Sequence, residues 1–104
     1  MQHITTKEEF EKLIKDNNNV VIDFYAEWCN PCKMLSPIIE QVASEKENVT
    51  FVKVDVDKAD ELAELFQVMS IPTVVYIKNQ KMALRDMGFK PKNVILDNIK
   101  TIFE

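Results

Sequence analysis

Trp28-Cys29-Asn30-Pro31-Cys32-Lys33 holds both cysteines of the chain, separated by two residues. Before it runs Val20-Val21-Ile22-Asp23-Phe24-Tyr25-Ala26, an apolar stretch with a single acid in the middle. After it, Met34/Leu35, Ile38/Ile39 and Val42/Ala43 recur every four residues, the repeat of an amphipathic helix reaching about Glu47. A close cysteine pair therefore stands where a strand hands over to a helix. Residues 20–26 are apolar on both faces, so this strand is expected to be central and covered on both sides. Pro37 falls inside the helix and is expected to kink it, because it removes one backbone hydrogen bond and crowds the previous turn.

On the N-terminal side, Thr6-Lys7-Glu8-Glu9 has the pattern of a capping box, and Phe10, Leu13 and Ile14 share one helical face. Asp16-Asn17-Asn18-Asn19 ends that helix, and a short strand around Ile4 precedes it. On the C-terminal side, Thr50 to Val56 alternates, with Val52, Val54 and Val56 on one face and Phe51, Lys53 and Asp55 on the other. Lys58 to Phe66 reads as a short helix with Leu62, Leu65 and Phe66 inward. Thr73–Ile77 and Met82–Met87 are strands joined by a tight turn at Asn79-Gln80, where Gln80 is an imperfect choice if its φ must be positive. Pro91 is placed for the first turn of a last helix whose buried stripe is Val94, Ile95, Ile99, Ile102 and Phe103. The order β-α-β-α-β-α-β-β-α predicts an α/β fold. Its first strands are parallel through helical crossovers, its last two form an antiparallel hairpin, and helices cover both faces of a mixed sheet.

The 104 residues suit one domain spanning 1–104. No apolar run approaches the ~20 residues of a membrane span, and the N-terminus lacks an apolar signal core, so a cytoplasmic location is expected. A net charge of −4 argues against nucleic acid or an anionic membrane as the main partner. The charge is uneven, −7 over residues 1–70 and +3 over 71–104; solvated faces account for it, and a dipole that steers encounters is the sharper reading. Two cysteines cannot build a disulfide framework, and the very short loop they would close constrains an unfolded chain little. With His3 the only histidine, and far off in sequence, the four ligands of a zinc site are not at hand.

Cysteine chemistry remains. Cys29 would sit at a helix start, where unpaired N–H groups and the positive dipole end stabilise a thiolate. Cys32, three residues on, is within disulfide reach, and Pro31 fits the first turn, where no N–H is needed. An exposed thiol of low pKa with a second thiol beside it exchanges disulfides, Cys29 attacking and Cys32 resolving. The competing reading is two unreactive core cysteines. Asp23 is either an acid on a doubly covered sheet, its pKa raised by desolvation, or a carboxylate reaching water at the strand's end. Lys53 alone reads as a surface residue and His3 as a solvated terminal one. Trp28 reads equally as a core aromatic, Ile71 as a strand-end residue, and Gly88, the one glycine of the chain, as a turn residue or a backbone position open to a partner.

The run Asp23 to Lys33 resembles the active-site segment of the thioredoxin family, and Ser70-Ile71-Pro72-Thr73 resembles that family's cis-proline loop, about 40 residues away. The resemblance covers the chain from about residue 4 to its end. It implies a central sheet of about five strands with about four flanking helices, a cis Ile71–Pro72 bond, and a groove for extended substrate chain bordered by Trp28, Asn30, Pro31, Ile71, Pro72 and Gly88. It implies that Asp23 lies buried behind the cysteines and exchanges a proton with Cys32, with Lys53 nearby and Lys33 closing the motif. The activity implied is reduction of protein disulfides by a Cys29/Cys32 dithiol, serving cell redox homeostasis and electron transport. No bound cofactor or metal is expected. A thioredoxin reductase drawing on NADPH is the implied electron source, disulfide-containing proteins are the substrates, and the chain is expected to be a monomer. Three features depart from the pattern: Asn30-Pro31 where Gly-Pro is usual, Asn79-Gln80 in place of a hairpin glycine, and Tyr25 where many members carry tryptophan. Asn30 leaves the reduction potential and partner choice outside what the motif fixes. Two other functions fit the same fold, a disulfide oxidase or isomerase domain and a binding module without redox activity.

Overall fold

The computed structural model describes residues 1–104. Its elements follow in the expected order: β1 (Gln2–His3), α1 (Lys7–Asp16), β2 (Asn19–Tyr25), α2 (Asn30–Glu45), β3 (Thr50–Asp55), α3 (Asp60–Leu65), β4 (Thr73–Lys78), β5 (Lys81–Met87) and α4 (Lys92–Phe103). Five strands form one mixed sheet in the order β1-β3-β2-β4-β5. β1 and β2 both run parallel to β3, while β4 is antiparallel to β2 and to β5.

Local chemistry sets most element ends. Thr6 Oγ1 accepts from the Glu9 N–H and the Glu9 carboxylate accepts from the Thr6 N–H, both at 3.1 Å, closing the capping box of α1. Backbone and hydroxyl bonds from Thr5, with those from Thr6, also hold the Glu9 carboxyl below its ordinary pKa. α2 begins with Cys29 as its cap, one turn earlier than the apolar stripe, and continues through Pro37, which lies exposed. Pro91 caps α4 instead of occupying its first turn, at φ −71° and ψ 165°; a proline's fixed φ suits both positions. Leu65 departs from its expected inward place and is 48% exposed. α3 has only six residues, and Leu62 and Phe66, one turn apart, already fill its inward face.

The sheet separates two apolar layers. Phe10 and Leu13 of α1 and Leu62 of α3 pack with Val20, Ile22 and Phe24 on one face. Leu35, Ile39 and Val42 of α2 and Ile95 and Ile99 of α4 pack with Val21, Val74 and Tyr76 on the other. This is the two-sided burial that the apolar run of β2 requires. Asp23 alternates with Val21 and Tyr25 and so faces α2.

The β4–β5 turn has φ +51° at Asn79 and +70° at Gln80. Two consecutive positive φ values match the twist of a two-residue hairpin, and asparagine followed by glycine meets them at least strain. Gln80→Gly is expected to stabilise the protein by about 1 kcal/mol, a rise of roughly 4–8 °C in Tm. A calorimetric scan in which Tm falls would contradict this account of the turn.

Candidate functional site

Register brings the site together. β2 and β3 run parallel with Tyr25 opposite Asp55, so the segments leaving both strands emerge at the same edge. β4 is antiparallel to β2 with Phe24 opposite Thr73, so the chain entering β4 arrives at that edge. Thr73 is opposite Met87, which brings the end of β5 there as well. Cys29, Asp57, Ile71-Pro72 and Gly88 therefore converge although dozens of residues separate them.

Cys29 and Cys32 are disulfide-bonded, with Cα atoms 5.3 Å apart. Cys29 Sγ accepts from the Cys32 N–H at 3.2 Å and lies 3.9 Å from the Ile71 carbonyl oxygen. The sulfur thus occupies the capping position of α2, where a free N–H meets negative charge. The expected exposure of the attacking thiol is corrected: Cys29 is 4% and Cys32 3% accessible, because capping and the Ile71 loop cover the pair from two sides. The Cys29 sulfur caps α2, while Asn30 and Pro31 are exposed in its first turn. Lys33 is exposed and donates its N–H to the Cys29 carbonyl at 3.1 Å.

The Ile71–Pro72 bond is cis. Ile71 packs against Tyr25, Ala26 and both cysteines, and Pro72 is buried. Gly88 adopts φ +91° and donates its N–H to the Pro72 carbonyl at 2.8 Å. A Cβ there would meet only Lys90 Nζ, at 3.8 Å, so backbone conformation and not lack of space explains the glycine.

Trp28 is no core aromatic. It is 68% exposed, held by a 2.9 Å hydrogen bond from its indole Nε1–H to Asp57 Oδ2. The Asp57 N–H in turn donates to Asp55 Oδ1 at 2.9 Å. Sequence reasoning missed Asp57; the signal lay in strand direction, since residues just past two neighbouring parallel strands share an edge. It also missed Met69, which with Trp28, Val56, Ala63, Val68, Ser70 and Ile71 lines an apolar cleft of about 220 Å³ beside the disulfide. A larger cleft, about 400 Å³, lies between α1, α3 and the β4–β5 hairpin, away from the cysteines.

Asp23 does not reach water. It is 1% accessible, and neither carboxyl oxygen has a hydrogen-bond partner. Burial pushes its pKa up from 3.8 to about 6, with the opposing pull of Lys53 smaller. Lys53 is half-buried and directly opposite Asp23 in the β2–β3 register. Its ammonium donates to Ser36 Oγ at 3.0 Å and lies 4.4 Å from the centre of the Tyr25 ring. A cleft of about 180 Å³ lined by His3, Tyr25, Glu27, Cys32, Ser36 and Lys53 opens here. His3 is less isolated than expected, with Nδ1 3.3 Å from the Tyr25 hydroxyl.

A disulfide at a helix start with a cis-proline loop against it, and a buried acid in the central strand β2, are the features of a thiol–disulfide oxidoreductase. The thioredoxin family model matches residues 1–101. A thioredoxin of Mycoplasmoides gallisepticum is 50% identical over 100 residues, covering 96% of this chain and all of that one. The bifunctional thioredoxin reductase/thioredoxin of Mycobacterium leprae is 38% identical over 100 residues, which are 95% of this chain and 22% of that protein. Among solved structures, oxidised mitochondrial thioredoxin 3 of Saccharomyces cerevisiae superposes with a TM-score of 0.93 at 35% identity, covering 98% of this chain and 95% of that one. The chain belongs to the thioredoxin family and has its fold, and it is a protein-disulfide reductase.

The raised pKa of Asp23 fixes a pH dependence of stability. Between about pH 4 and 6 the folded state holds a proton that the unfolded chain has released, so stability falls as pH rises through that window. Once both states are ionised the loss is roughly 3 kcal/mol. Relative to the wild type, Asp23→Asn is therefore expected to gain about 2 kcal/mol between pH 4 and pH 8. Urea unfolding at the two pH values measures this; an unchanged difference would refute burial of the charge as its origin.

Proposed function

We propose that Cys29 is the attacking group, Cys32 the resolving one and Asp23 the proton acceptor of the resolving step, all within one domain of residues 1–104. The Cys29 thiolate attacks one sulfur of a target disulfide and expels the other as a thiolate, which leaves a mixed disulfide. Cys32 then passes its proton to Asp23 and attacks Cys29 Sγ; the second target sulfur departs as a thiolate and is protonated. Two electrons pass to the target, and the Cys29–Cys32 disulfide remains. The observation that carries this reading is the Cys32 N–H directed at Cys29 Sγ at 3.2 Å, a contact that favours the charged sulfur and distinguishes the two cysteines. A carboxyl near pH 6 is suited to accept a proton at neutral pH. Lys53 keeps that pKa from rising further, and Lys33 supplies a cation at the rim of the neighbouring cleft.

The substrates are proteins whose disulfide is flanked by extended chain. That chain would lie against Trp28, Asn30, Pro31, Ile71 and Gly88, with Pro72 behind the disulfide. The two-electron debt is repaid by a thioredoxin reductase drawing on NADPH, a partnership supported by the Mycobacterium leprae relative that joins both activities in one protein. The chain itself carries no cofactor in this scheme, which needs only the two thiols. No helix is long and apolar enough to cross a membrane, and a monomer working in the cytoplasm fits the acidic, small domain.

Insulin reduction by dithiothreitol tests the roles. Cys29→Ser is expected to fall to the uncatalysed rate, and Cys32→Ser to accumulate a mixed disulfide visible by mass spectrometry. Asp23→Asn is expected to slow release from the mixed disulfide by about tenfold or more and to remove a rate increase centred near pH 6. Trapping through Cys32 in place of Cys29, or an unaltered pH profile in Asp23→Asn, would reverse the assignment.

A further inference from the structure

Methionine is ordinarily among the buried residue types, yet none of the five in this chain is in the core. Exposures are 42% for Met1, 62% for Met34, 85% for Met69, 47% for Met82 and 52% for Met87. Met69 is the most exposed large apolar side chain of the molecule, and it stands two residues before Ile71, whose carbonyl faces the Cys29 sulfur. It lines the same cleft of about 220 Å³ as Trp28, Val56, Val68 and Ile71. A flexible thioether at that place gives an adaptable apolar wall, able to repack around different target side chains. It also places an oxidisable sulfur in open water beside a redox site.

We propose that Met69 is an oxidative modification site that regulates docking in this groove, an inference resting on the reading that the groove receives the target's extended chain. A hydroperoxide is the oxidant. The Met69 sulfur supplies an electron pair to the terminal peroxide oxygen, an S–O bond forms, the O–O bond breaks, and water or an alcohol leaves. The thioether becomes a sulfoxide, polar and chiral where the wall was apolar. The target segment then meets a hydrated dipole in the cleft and docks less tightly, while Cys29, Cys32 and Asp23 keep their geometry. Oxidation of Met69 therefore raises KM and leaves kcat in place. The disulfide-bonded form, whose cysteines are protected as the Cys29–Cys32 bridge, undergoes this change without loss of its thiols.

The test treats disulfide-bonded wild-type protein with hydrogen peroxide and follows oxygen uptake at each methionine by peptide mass spectrometry. Insulin reduction is measured before and after treatment. Met69 is expected to take up oxygen first, with KM for insulin rising about tenfold at constant kcat. Met69→Leu is expected to show the same KM before and after oxidant, and Met69→Gln to raise KM without any oxidant. First oxidation at Met34 or Met87, a KM that does not follow the Met69 sulfoxide, or an equal response in Met69→Leu would each overturn the proposal. The oxygen map is read without any turnover, so failure of the proposal is distinct from failure of the untreated protein to reduce insulin, which would instead sink the docking reading beneath it.

Discussion

The antiparallel register of β4 on β2 is the constraint on which the rest depends. Pairing Phe24 with Thr73 sets the last residues of one strand against the first of the other. The cis-proline loop is thereby laid beside a cysteine pair some forty residues earlier in the chain, and the β5 pairing draws Gly88 to the same edge. A slip of one residue would turn the apolar residues of β2 to the opposite faces and remove Asp23 from beneath α2. Because both faces of β2 are packed, such a slip is heavily penalised. The site is therefore positioned by the same burial that stabilises the core.

That burial has a local cost at Asp23. The carboxyl sits on the apolar α2 side of the sheet with no hydrogen-bond partner, and its raised pKa expresses the penalty of charging it there. A leucine or valine in its place would pack without that penalty. What the penalty yields is an acid with a pKa raised to about 6, which the proposed mechanism uses as the proton acceptor for Cys32. Lys53 moderates the effect from across the β2–β3 register, tethered by Ser36 and the Tyr25 ring instead of by an ion pair.

Much of this was legible from the chain alone. Element order, the capping box at Thr6, the two-sided burial of β2 and the reactive pair at a helix start all follow from local pattern. Resemblance to a family, and not periodicity, supplied the cis bond at Pro72 and the partnership of Asp23 with Lys53. Leu65 was misread because helix periodicity shows which residues share a stripe, while the length of α3 decides how much of that stripe is covered. Asp57 and Met69 were missed because each acts through a neighbour distant in sequence, Trp28 in the first case and the cleft wall in the second.

By itself, then, the sequence determined the secondary structure, the sheet's two apolar faces and the identity of the exchanging sulfurs, because these rest on contacts within a turn or a strand. Only the tertiary structure decided that the Cys29 sulfur is nearly covered, that Asp23 is cut off from water, that Trp28 is pinned to Asp57, and that Met69 lies in the groove wall. Those properties depend on which segments meet at one sheet edge. Accessibility, desolvation and hydrogen bonding across that edge are sums over neighbours that no local stretch of the chain contains.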